Sequence, residues 1–111
     1  MFIRIYSGED GQSHFEEREL PTGPGGWSSM EAATGISFHH IKPGRFNDWH
    51  HAPRRQYVIA VSGELELRIG DGTVQRLGRG DVLLAEDLTG QGHTTRVVSS
   101  ETWVSVAIPL A

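Results

Sequence analysis

Short runs in which apolar and polar residues alternate, each cut off by glycine or proline, constrain this chain more than any other feature. Leu65, Leu67 and Ile69 alternate with Glu64, Glu66 and Arg68, which marks a strand with one buried and one wet face. The same period-two pattern, or a run of β-branched and aromatic residues, predicts strands over residues 2–6, 36–41, 56–62, 73–77, 82–85, 93–98 and 102–108. Residues 13–20 are charged and predict an edge strand stopped by Pro21. Pro43-Gly44, Ser62-Gly63, Gly70-Asp71-Gly72 and Gly78-Arg79-Gly80-Asp81 supply the turns. No stretch places apolar residues at helical spacing.

Nine short strands with tight turns argue for an all-β barrel or double-sheet jelly roll. At 111 residues the chain has length for one domain only. Residues 1–34 are expected to form N-terminal strands and a Gly/Pro-rich loop, and residues 35–108 the barrel core. Within that loop, Trp27 is expected to bury its ring against the body of the protein, beside a short helical turn at residues 28–33.

Composition narrows the function by exclusion. The formal net charge is −4 and the ten basic residues are scattered, so no patch offers the electrostatic footprint of a nucleic-acid binder. No apolar run approaches the roughly 18–20 residues that span a bilayer, which speaks against a membrane partner. There is no cysteine, which removes thiolate metal sites, disulfides and cysteine nucleophiles. The first residues lack the charged start, apolar middle and cleavage site of a signal peptide, so a cytoplasmic location is expected. Six histidines, many for this length, point toward metal or proton chemistry.

Chemistry concentrates in residues 44–63. Gly44 is followed after five residues by His50, and Gly63 closes the next strand. Gly80-Asp81, the apolar run Val82-Leu83-Leu84 and then His93 form a second, looser pattern. In this order and spacing the chain resembles the cupins over residues 35–108. Gly44, His50 and Gly63 match that family's first motif. The second motif histidine falls on Ala52 and the motif glutamate on Gln56. His93 matches the second motif's histidine if residues 86–92 carry a two-residue insertion, and Glu86 stands where that motif has proline.

The resemblance implies a double-stranded β-helix holding a divalent transition metal (Fe, Mn, Ni, Zn or Cu) at His50, Gln56 and His93. Gln56 is a weaker donor than glutamate because it brings no charge. His51 lies beside the position of the missing histidine, and one of His39 and His40 is expected to face inward, with His40 taken as a substrate contact. Arg54 is a candidate clamp for a substrate carboxylate, and Trp49, with Phe46 and Trp103, a candidate apolar lining. Glu86 and His93 are the candidate acid–base pair, with Asp87 expected in a solvated turn.

Three functions stay open. The first is a metal-dependent enzyme acting on a small polar metabolite by isomerase, lyase or dioxygenase chemistry. The second is a non-catalytic binder of small molecules with a decayed metal site. The third is a metal-free acid–base enzyme. The resemblance also implies a homodimer.

Overall fold

The computed structural model describes all 111 residues and contains ten strands: β1 (Phe2–Ser7), β2 (Ser13–Arg18), β3 (Ser37–Ile41), β4 (Phe46–His50), β5 (Gln56–Ser62), β6 (Leu65–Arg68), β7 (Val74–Leu77), β8 (Val82–Glu86), β9 (His93–Val97) and β10 (Trp103–Pro109). They form a six-stranded sheet ordered β2-β1-β8-β5-β10-β3 and a four-stranded sheet ordered β4-β9-β6-β7. All pairings are antiparallel except β1 with β8. The fold is all-β, as the alternation predicts, and no helix is long and apolar enough to cross a membrane.

The two sheets bury one shared core. Ile3, Ile5, Leu83, Ala85, Ala60 and Trp103 come from the larger sheet, and Leu67, Leu77 and Val97 from the smaller. Each large aliphatic side chain removed from water contributes about 1.5–3 kcal/mol, and this pool is what the alternation encodes. Gly63 shows why one turn admits only glycine. Its φ is +76°, and a Cβ there would lie 2.7 Å from the Thr102 carbonyl oxygen.

Three expectations fail. The strand β4 was not predicted, because Asn47 and Asp48 interrupt its alternation and its register with β9 slips between Asn47 and His50. The helical turn lies at Pro24–Gly26 and not at residues 28–33. Trp27 is 82% exposed, so it does not pin its loop.

Candidate functional site

The slip in β4 creates the site. Asn47 pairs with Thr95 and His50 with His93, so one extra residue of β4 is accommodated between them. Such a bulge re-aims the side chains that follow it. It sets the His50 ring against the His93 ring of the neighbouring strand, with centroids 4.5 Å apart and an interplanar angle of 58°. His50 Nδ1 donates to the Asp48 carbonyl at 2.6 Å. His93 Nδ1 donates to Asp87 Oδ2 at 2.5 Å. Nε2 is therefore the free ring nitrogen of both imidazoles.

Both rings line a cavity of about 200 Å³ between the sheets, together with Gln56, His39, Ser105 and Thr95 and a wall that includes Leu67, Leu83 and Trp103. Gln56 opens β5 and is 7% exposed, and its Oε1 is buried without a hydrogen-bond partner. Ala52 also faces the cavity and leaves room where the cupin pattern has histidine. His51 sits at the rim, with Nε2 donating to the Gly90 carbonyl at 2.6 Å. No three His, Cys, Asp or Glu side chains converge closely enough to hold a metal among themselves. Beside His50 and His93, Gln56 is the cavity-lining side chain with a buried, unpartnered oxygen.

The structure thus brings His50, Gln56 and His93 together. Of the other candidates it brings in His39 and Trp103, sets His51 at the rim, and leaves out His40, Trp49, Arg54 and Phe46. His40 alternates to the outer face of β3, where it pairs with Val104, and His39 faces the cavity instead. Trp49 and Arg54 are exposed and outside the lining, while Trp103 is 2% exposed and inside it. Phe46 is also exposed and holds Arg96 over its ring at 4.6 Å.

Glu86 is the largest correction. Leu83 and Ala85 face the cavity, so Glu86 faces the opposite side of the sheet. There it accepts hydrogen bonds from Arg4 Nε at 2.6 Å and from Arg55 Nε. Burial pushes its carboxyl up, but the hydrogen bonds and charges of Arg55 and Arg4 outweigh that and hold it below the usual carboxylate range. Nearby, burial and a hydrogen bond to Glu31 push the Tyr57 phenol up to about 12. The carboxylate that reaches His93 is Asp87, which is fully buried and also accepts from Ser13 Oγ at 2.8 Å. The parity of β8 was the available signal: Leu83, Ala85 and Asp87 share a face.

The segment carrying Asp87 seats itself through Gly92. With φ +77°, a Cβ on Gly92 would lie 2.1 Å from the His50 carbonyl oxygen, so glycine lets this segment close on β4. A second cleft, lined by no hydrophobic residue, opens between Asp10, Gln12, His14, Asp71 and Gln91. Its one imidazole is committed, because His14 Nε2 bonds both Asp10 carboxylate oxygens at 3.0 and 2.9 Å.

No family model and no curated protein matches the chain. Solved structures do. A Cupin 2 conserved barrel domain protein from Salinispora arenicola CNS-205 is similar with a TM-score of 0.55 and 23% identity, over 74% of this chain and 66% of that one. An uncharacterized conserved protein with a double-stranded β-helix domain from Klebsiella pneumoniae subsp. pneumoniae MGH 78578 gives 0.54 and 28%, over 71% and 65%. A cupin domain from Bordetella pertussis Tohama I gives 0.54 and 18%, over 86% and 99%. The match thus spans about two thirds of the length of the first two and nearly all of the third. Two sheets closed around one core, β1 running parallel to β8, and these neighbours together give the chain the cupin fold, a double-stranded β-helix.

Proposed function

We propose that the cavity binds one divalent transition metal ion through His50 Nε2, His93 Nε2 and Gln56 Oε1, and that a small oxygen-bearing metabolite fills the remainder. The observation that carries this reading is the pair of engaged Nδ1 atoms. Each imidazole turns Nδ1 to an oxygen outside the cavity, which in a neutral ring leaves Nε2 bare for a ligand. The Gln56 oxygen is a buried acceptor without a donor, and a cation would satisfy it. These donors are neutral, so the charge that a glutamate would bring is missing at the first contact. The one acid near them is Asp87, which stands one hydrogen bond further out, behind His93.

Such an ion, when bound, polarises a carbonyl or enediol oxygen. The chain's own residues shape what can enter. Leu67, Leu83 and Trp103 keep water from one side, while Ser105, Thr95 and His39 offer hydrogen bonds to a ligand. Metal content of tag-free protein, measured by plasma mass spectrometry, tests the reading. Near-stoichiometric metal that His50→Ala and His93→Ala both abolish is expected. Protein that stays empty after incubation with Fe, Mn, Ni, Zn and Cu would overturn it.

A second reading is favoured by the 2.5 Å bond between the buried Asp87 carboxylate and His93. In it the two form a metal-free acid–base pair, in place of Glu86 and His93, and turnover is indifferent to chelators. A homodimer belongs to the same proposal. Phe38 and Val61 lie exposed on the outer face of the six-stranded sheet, and a second copy would cover them. Sedimentation as a monomer at every concentration would remove that part.

A further inference from the structure

The Asp87 carboxylate sits where the resemblance places no acid. It belongs to the segment between β8 and β9, where matching His93 to the cupin pattern requires a two-residue insertion. It is fully buried, and its Oδ2 accepts from two donors, the Ser13 hydroxyl at 2.8 Å and His93 Nδ1 at 2.5 Å. Ser13 is 1% exposed and His93 5%. Ser13 lies on β2, the outermost strand of its sheet, outside the residues that carry the resemblance.

The surrounding backbone holds this arrangement from the N-terminal hairpin. Gln91 N–H donates to the Gly11 carbonyl at 3.0 Å, and Thr89 N–H donates to Ser7 Oγ at 3.1 Å. Gly90, with φ +78°, lies so close to Gly11 that a Cβ would sit 2.3 Å from its carbonyl oxygen. The β1–β2 hairpin therefore clamps the segment that carries Asp87.

We propose that Asp87 and Ser13 are positioning residues for His93. The carboxylate holds the ring as its Nδ1–H tautomer, and the Ser13 hydroxyl pins the carboxylate. A neutral imidazole has one N–H, so fixing it on Nδ1 leaves Nε2 as an acceptor toward the cavity. The use of that nitrogen as a ligand rests on the metal-binding reading, whereas the tautomer does not. The N-terminal hairpin thereby becomes part of the site, although no residue of it touches the cavity.

Two measurements separate these layers. Imidazole ¹⁵N NMR on metal-free protein, with His93 assigned through His93→Ala, is expected to show protonated Nδ1 and bare Nε2. Asp87→Asn and Ser13→Ala should redistribute that proton, and Ser13→Thr, which keeps the hydroxyl, should restore it. Zn²⁺ titration should show a loss of about 10–100-fold in affinity for Asp87→Asn, and a smaller loss for Ser13→Ala. His93 protonated on Nε2 in the wild-type protein overturns the proposal even if Asp87→Asn fails to fold. So does an unchanged tautomer in folded Asp87→Asn. Wild-type protein that shows the expected tautomer pattern yet binds no Zn²⁺ overturns the metal reading and supports the positioning role.

Discussion

Glu86 and Asp87 are neighbours in sequence with the same functional group, and the sheet gives them opposite surroundings. Glu86 points outward and is held by two arginines, with Arg55 itself 46% exposed. Asp87 points inward, is fully buried, and has only a hydroxyl and an imidazole as partners. The outer carboxylate keeps its charge through two cationic partners in a half-buried setting, where exposed Arg55 still gives water access to the pair. The inner one sits among groups that have no water to turn to, so each bond it makes is expensive to lose. One step along a strand separates a part-buried ion pair on the outer face from a group that can set the chemistry of the cavity.

Removing the inner carboxylate should break the comparison most severely. Asp87→Ala strands the Ser13 hydroxyl and the His93 N–H in a dry environment, at a cost of about 3 kcal/mol. Urea unfolding should show this as a lowered midpoint with an unchanged slope. The equivalent Glu86→Ala should lose far less. Equal losses would mean that the two surroundings do not differ energetically.

Closing the segment onto β4 is the next lever. Gly92→Ala forces a side chain into the left-handed region and against the His50 carbonyl oxygen, which lies 2.1 Å from the built Cβ. We expect a loss of about 2 kcal/mol from strain at this position. The His50–His93 pairing should open as well, visible as altered imidazole resonances. Gly80→Ala, which has φ +86° but nothing within 4 Å, provides the control for the backbone conformation alone.

Gln56→Glu sharpens the contrast from the other side, by placing a second carboxylate inside the barrel beside Asp87. In the metal-free protein this acid has no partner, since the Gln56 oxygen has none, so stability should fall. Metal affinity should rise about tenfold or more as the donor set gains a charge. Opposite signs in the two measurements are the diagnostic outcome. A fall in both would mean that residue 56 does not reach the metal.

How much of this was legible follows strand parity. Where polar and apolar residues alternate strictly, as from Glu64 to Ile69, the sequence tells inside from outside and the sheet agrees. Val82-Leu83-Leu84-Ala85 is apolar on both faces, which hides parity and allowed Glu86 to be taken for the inward acid. In β3 each face carries one apolar residue, Phe38 beside His40 and Ile41 beside His39, so the pattern left the inward histidine open, and His39 is the one that lines the cavity. The motif spacing located His50, Gln56 and His93, but a bulge turns β4, and no periodicity foretells one. Trp27 shows the limit of reading an aromatic as buried: its loop offers no wall to receive it.

The smallest effect is the most specific to the outer carboxylate. Glu86 has a folded pKa below its ordinary value near 4.5, because Arg55 and Arg4 outweigh the burial that pushes it up. A group with a depressed folded pKa contributes stability that is fully present above the unfolded value and lost as pH falls through the folded one. Glu86→Gln should therefore cost about 1 kcal/mol at neutral pH, since Arg55 is exposed and glutamine keeps an acceptor for Arg4. The cost should shrink to nothing in acid, where the wild-type carboxyl is protonated too. Unfolding free energies measured from pH 7 down to pH 3 should thus converge for the two proteins. Metal content and the His93 tautomer should not change, because Glu86 lies on the other side of the sheet. If Glu86→Gln alters either of them, the division between an outer structural carboxylate and an inner positioning one is wrong, and the two faces of β8 are coupled.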